Sequence, residues 1–177
     1  MKKKKIIITG ANGFLGSSLT NYFSKKNYEL TCVYNRNIKK KIKKKNIKYI
    51  KQNLLKKIPI SRFKGNFNAL LHFAGPKNDR ASVTNNSKIF KDAIKLDKNV
   101  IQFCLKKKIK CFIYASSSAV YDLNEGKKLN KNNFKETNTN SYSNPDGSYG
   151  RSKLKIENYL INIGQKKLKS TSCRIFS

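Results

Sequence analysis

Ile6-Ile7-Ile8-Thr9-Gly10-Ala11-Asn12-Gly13-Phe14-Leu15-Gly16 is the stretch on which the reading of this chain turns. Its isoleucines make a β-branched run suited to a strand covered on both faces. The residues that follow, Ser17 to Phe23, place Leu15, Leu19 and Phe23 on one face of a predicted helix. Strand, glycine turn and helix in that order predict the opening of a dinucleotide-binding unit. One glycine permits the tight turn, one lets a pyrophosphate approach the backbone, and one lets helix and strand pack without a Cβ between them. The helix N-terminus then directs N–H groups and partial positive charge at the phosphates. The spacing is G-x-x-G-x-x-G, and three glycines alone can also form a purely structural turn.

With 177 residues the chain has the length of one domain with a real core. No apolar run approaches the roughly 20 residues of a membrane span. Lys2 to Lys5 followed by three isoleucines does not read as a signal peptide, because Thr9 and the glycines end the apolar stretch too soon. The expected location is the cytoplasm. Cys32, Cys104, Cys111 and Cys173 show no C-x-x-C spacing and read as reduced, mostly buried residues rather than metal ligands or disulfides.

The net charge of +31 points towards polyanions. The cations are nearly all lysine, however, with arginine only at 36, 62, 80, 151 and 174, and base-reading sites favour arginine forks. The abundance of Lys, Asn and Ile matches the codon bias of an AT-rich genome. No specific nucleic-acid partner is expected, only non-specific attraction at low salt.

A second strand is expected at Glu29 to Tyr34. A carboxylate at its end would hold the ribose 2′-hydroxyl of NAD, but no acidic residue occurs between Glu29 and Asp79. Tyr34, Asn35 and Arg36 stand there instead. Arg36 can accept the 2′-phosphate of NADP, which favours NADP over NAD, or it is one more surface cation. Lys39 to Lys45 reads as a basic helix or loop. Ile47 to Ile50 reads as a third strand leading to Gln52-Asn53-Leu54, where Asn53 either meets an adenine edge or closes a turn. Ala69 to Gly75 reads as a fourth strand, with Ala74 and Gly75 small enough for a cofactor to lie against the backbone. His72, the single histidine, reads as a satisfied strand residue rather than a base.

Residues 85 to 107 predict a long helix with Ile89, Ala93, Leu96, Val100, Phe103 and Cys104 on its core face. Cys111 to Ala115 predicts a fifth strand, Tyr149 to Lys166 a helix, and Thr171 to Phe176 a sixth strand. Asp122 to Gly147 is either a substrate-facing or a surface loop. Strands alternating with helices predict an α/β, doubly wound, mostly parallel sheet of about six strands.

Tyr149 and Lys153 form Y-x-x-x-K, on one face of a helix. A free tyrosine titrates near 10, too high for a useful base at neutral pH. A neighbouring ammonium, with an oxidised nicotinamide, would lower it and let the phenol exchange a proton with a substrate oxygen. In so lysine-rich a chain the spacing also arises by chance, as at Tyr22 and Lys26. Context separates the two matches. Tyr149 follows the fifth strand, whose end, Ser116-Ser117-Ser118-Ala119-Val120-Tyr121, lies where ligands bind in open α/β sheets.

Four motifs, Thr9 to Gly16, Leu71 to Gly75, Tyr114 to Tyr121 and Tyr149 to Lys153, resemble in order and spacing those of the extended short-chain dehydrogenase/reductase superfamily, in particular the NAD-dependent epimerase/dehydratase family. The resemblance implies a Rossmann-like NAD(P)-binding domain over residues 1–177. It implies Ser117, Tyr149 and Lys153 as the catalytic residues. It implies cofactor contacts from Gly10, Asn12, Gly13, Phe14, Leu15 and Gly16, from Asn35 and Arg36, from Asn53 and Leu54, and from Phe73, Ala74 and Gly75, with Tyr149 and Lys153 at the nicotinamide ribose. The expected substrate is a nucleotide-sugar, and a homodimer is an open expectation. Family dehydratases carry carboxylates directly after the catalytic Ser or Thr. Here Ser118 and Ala119 stand there, which implies an epimerase or a reductase. Asp122 replaces the glycine of V-Y-G. Family members continue into a C-terminal substrate lobe that this sequence is expected to lack, with weak turnover as the consequence. The alternatives are a non-catalytic dinucleotide-binding or sensor module, and a basic RNA-associated protein.

Overall fold

The structure is a computed structural model that describes residues 3–36, 41–75, 87–121 and 147–175. Six strands form one parallel sheet: β1 (Lys4–Thr9), β2 (Tyr28–Tyr34), β3 (Ile47–Lys51), β4 (Ala69–His72), β5 (Cys111–Ser117) and β6 (Lys169–Ile175), in the order β3-β2-β1-β4-β5-β6. Among the described residues three α-helices accompany it: α1 (Phe14–Ser24), α2 (Ser87–Lys106) and α3 (Ser148–Ile163). The expected doubly wound α/β sheet is therefore present, with boundaries within three residues of those predicted. Of the expected loop Asp122–Gly147, residues 122–146 lie outside the described residues, as do Phe176 and the first residues of the helix expected at 85–107. Residues 41–45 of the lysine run form no helix.

Side chains alternate across each strand, so β1 feeds two cores. Ile7 joins Val33, Leu70, Val100, Ile101, Phe112, Ile156 and Leu160 beneath α2 and α3. Ile6 and Ile8 join Ala11, Leu30, Cys32 and Leu71 on the α1 side. That double burial is why β1 reads as an unbroken apolar run.

Helix α1 does not pack as its sequence suggested. Leu15 is 36% exposed, Leu19 and Phe23 are half-buried, and the buried stripe is Gly16, Thr20 and Ser24. Close approach selects these small residues. Thr20 turns its hydroxyl back to the Gly16 carbonyl at 2.7 Å and lies 3.5 Å from the Cys32 sulfur.

All four cysteines are free, Cys32 and Cys104 buried, Cys111 half-buried and Cys173 exposed on edge strand β6, so fewer are buried than expected. Among the described residues no helix is long and apolar enough to cross a membrane, and no cluster of His, Cys, Asp or Glu could hold a metal ion.

Candidate active site

The order of the sheet reverses between β1 and β4, which opens a crevice at the carboxyl ends of these strands. A cavity of about 420 Å³ occupies it. Its walls include Gly10, Asn12 and Gly13 after β1, Asn35 and Arg36 after β2, Asn53 and Leu54 after β3, and Phe73, Ala74 and Gly75 after β4. Tertiary structure thus gathers ten of the residues picked out in the sequence as candidate cofactor contacts. It adds Gln52, Leu55, Asp92 and Leu96, which sequence reasoning did not assign. The β2 end carries no carboxylate, but Asp92 brings one into the wall from α2.

Gly10 holds a left-handed φ of 67° and lies so close to β4 that a Cβ would stand 2.7 Å from the Phe73 and Ala74 backbone. A Cβ on Gly16 would collide with the Gly10 carbonyl. These two positions require glycine for different reasons, backbone conformation and contact with the end of β4 at the first, helix-to-turn contact at the second. Gly13 accepts the Ser17 N–H at 2.9 Å to start α1, with no side-chain cap and no acidic residue in the first turn. The amides of Phe14, Leu15 and Gly16 therefore precede the first intrahelical bond, in a field that favours an anion. Phe14 itself is 87% exposed. The cavity, the glycine cradle and this helix end fit the pyrophosphate of a dinucleotide. Asn53 uses its side-chain oxygen to accept the Leu55 N–H at 3.0 Å, so its turn role is realised at the cavity wall.

Ser117 ends β5, and its hydroxyl accepts the Ala119 N–H at 3.2 Å as the chain enters a 3-10 turn over Ser118–Val120. Tyr149 and Lys153 project from the first turns of α3. Lys153 is buried, donates to the Ala115 carbonyl at 2.9 Å, and lies 4.5 Å from the Tyr114 ring centre and 5.5 Å from that of Tyr149. The tyrosine's titration is raised by burial first and then by the Asp97 charge, while hydrogen bonding with Ser117 pulls it down. The sequence expectation of a lowered phenol is therefore not met by the chain's own groups, because burial, with the Asp97 charge behind it, outweighs the hydrogen bond with Ser117. The other Y-x-x-x-K match is unlike this one: Tyr22 is 56% exposed on α1, with Lys26 over its ring at the surface.

His72 is satisfied, as read, but by partners remote in sequence. Its Nδ1 is 2.6 Å from the Thr9 hydroxyl and its Nε2 is 2.9 Å from Asp97 Oδ1. Asp97 was missed. It lies four residues after Ala93 and four before Ile101, on the buried face of α2, and an acid on an apolar stripe was the available signal.

A larger cavity, about 590 Å³, opens at the opposite end of the sheet and is lined by seven lysines that include Lys3, Lys25, Lys48 and Lys64. It lies away from the strand ends where ligands bind in open α/β sheets, and it fits the non-specific anion attraction expected from composition.

A family model described as the NAD dependent epimerase/dehydratase family matches residues 6–177. A dTDP-D-glucose 4,6-dehydratase of Dictyostelium discoideum is 30% identical over 187 aligned positions, covering 94% of this chain and 41% of the relative. The UDP-Glc/GlcNAc 4-epimerase structure from Campylobacter jejuni is 26% identical with a TM-score of 0.79, covering 98% of this chain and 53% of that one. A Thermus thermophilus UDP-glucose 4-epimerase complex with NAD is 22% identical with a TM-score of 0.77, covering 96% and 54%. The chain spans about half the length of these relatives.

Proposed function

This chain belongs to the NAD dependent epimerase/dehydratase family, and from that premise we propose that it is the cofactor-binding part of an epimerase or reductase acting on a nucleotide-activated sugar. The observation that carries the proposal is the convergence of Tyr149, Lys153 and the Ser117 hydroxyl at the carboxyl end of β5, the same end of the parallel sheet as the glycine cradle. A bound nicotinamide dinucleotide would supply hydride acceptance and return. Gly10, Gly13, Gly16 and the first amides of α1 hold its pyrophosphate. Ser117 orients the sugar oxygen, and Tyr149, as the phenolate that the Lys153 charge together with a bound oxidised nicotinamide would favour, takes the hydroxyl proton from that oxygen as hydride leaves the carbon that bears it. The reverse half returns both. Lys153 keeps positive charge beside the phenol and reaches the nicotinamide ribose. Ser118 and Ala119 supply no carboxylate for β-elimination, which favours epimerisation or reduction over dehydration. Arg36 at the cavity wall, with no acid at the β2 end, supports NADP over NAD.

Because the relatives are about twice as long as the matched part, turnover by these 177 residues alone is expected to be weak. Hydride transfer is therefore measured in a single turnover at high nucleotide-sugar concentration. Tyr149→Phe should reduce it by about 100-fold or more while leaving dinucleotide affinity within a few-fold of the parent. Loss of both together would sink the role given to Tyr149. Full retention of transfer would take the proton step away from Tyr149, and absence of transfer in the parent itself would favour a non-catalytic dinucleotide-binding module.

A further inference from the structure

We propose that Asp97 is a positioning residue for the Tyr149–Lys153 pair: a buried counter-charge on α2 that holds the lysine ammonium beneath the two tyrosine rings and strengthens the pair's hold on its protons. This rests on the reading of Tyr149 and Lys153 given above.

Asp97 is 1% exposed, and both of its oxygens are engaged. Oδ1 accepts from His72 Nε2 at 2.9 Å, Oδ2 accepts the Tyr114 hydroxyl at 2.5 Å, and Lys153 Nζ lies 4.0 Å from Oδ2. Burial alone would push the carboxyl up, but the Lys153 charge and the bonds from His72 and Tyr114 outweigh it and hold Asp97 below its ordinary value. The carboxylate is therefore ionised at neutral pH. His72 and Tyr114 would be served by any neutral acceptor. Only Lys153 requires a charge.

Lys153 shows the reciprocal effect. Burial lowers it, and Asp97, followed by Glu157, pushes it back up. Glu157 is already matched by the Arg174 guanidinium of β6, with contacts from 2.9 to 3.3 Å. Among the described residues no guanidinium lies on Asp97, and it acts on the pair directly. The groups facing the pair are thus Asp97 from α2, His72 from β4, Tyr114 from β5, Glu157 within α3 and Arg174 from β6. At its far end the same chain of bonds reaches the cofactor crevice. The far ring nitrogen of His72, Nδ1, hydrogen-bonds with the Thr9 hydroxyl, whose oxygen in turn accepts the Ala74 N–H at 3.3 Å. One carboxylate therefore braces the proton pair and the strand ends that bound the cavity.

The test is a pH titration of tyrosine ring carbons by NMR in the 177-residue chain without dinucleotide, the Tyr149 signal being the one missing from Tyr149→Phe. In Asp97→Asn the first deprotonation of the Tyr149–Lys153 pair is expected at lower pH than in the parent, because removing a negative charge favours proton loss from either member. An unchanged titration in a folded variant overturns the proposal. Should Asp97→Asn fail to fold, the aspartate carboxyl carbons of the parent decide. An Asp97 signal ionised throughout and titrating below the ordinary aspartate range supports the counter-charge, and one protonated near neutral pH overturns it. Failure of the catalytic reading would show instead as full hydride transfer in Tyr149→Phe, with the titration result intact.

Discussion

Lys153 and Asp97 face each other across a buried seam between α3 and α2, with the ammonium nitrogen 4.0 Å from a carboxylate oxygen. Neither charge has bulk water to solvate it, so each depends on the other and on the hydrogen bonds around it.

The seam predicts a specific acid sensitivity. The Asp97 carboxyl is held low in the folded chain, so its contribution to stability is fully present above the unfolded carboxylate value of about 4 and is lost as pH falls through the folded value. Thermal melting should therefore weaken on acidification below about pH 5. Asp97→Asn should melt lower at pH 7, by roughly 1–3 kcal/mol of stability, and should show a shallower acid limb. Parallel acid limbs in the two proteins would assign the effect to other carboxylates.

Gly10→Ala tests the turn after β1. The new methyl would meet both a left-handed φ and the β4 backbone, at a cost of about 2 kcal/mol or more. For a chain of this size that corresponds to a melting temperature lower by roughly 4–8 °C, with dinucleotide affinity falling at the same time. A variant as stable as the parent would show that β4 yields at Phe73 and Ala74.

Cofactor choice is addressed at Arg36, which is exposed and therefore changeable without damage to the core. Arg36→Asp should move the ratio of NADP to NAD affinity towards NAD by about tenfold or more, as expected for loss of a charged phosphate contact and gain of a ribose acceptor. An unmoved ratio in fluorescence titrations would make Arg36 an ordinary surface cation.

Thiol labelling should follow burial. Cys173 is exposed and should react first, Cys111 more slowly. Cys32 should be protected until the chain unfolds, because burial pushes its thiol up to about 11 against the opposing hydrogen bond from Thr20. Burial also pushes the Cys104 thiol up, and it should behave alike. Mass spectrometry of partly labelled protein gives the order, and early modification of Cys32 would mean that α1 lifts from the sheet.

Local pattern determined much of this protein. The triple isoleucine, the glycines at 10, 13 and 16 and the alternation of strands with helices specify a doubly wound sheet. The reason is that strand burial, turn conformation and helix periodicity are properties of neighbouring residues. The same pattern named Gly10, Arg36, Ala74, Tyr149 and Lys153 as candidates, and the family resemblance singled out Ser117 among the serines that end β5. Only the tertiary structure decided what surrounds them. The spacing of Leu15, Leu19 and Phe23 did not reveal the most buried stripe of α1, because a helix pressed against a turn buries its smallest residues there, so Gly16, Thr20 and Ser24 are covered while Phe23 packs at the margin of the core. The second cause of the Tyr149 shift, after burial, and the Nε2 partner of His72 are both Asp97, which is 25 residues from His72 and 56 from Lys153. Burial and Coulomb interaction act through space and leave no local spacing in the sequence, so a charge that reaches its partners only once α2, β4, β5 and α3 are packed could be found only in the fold.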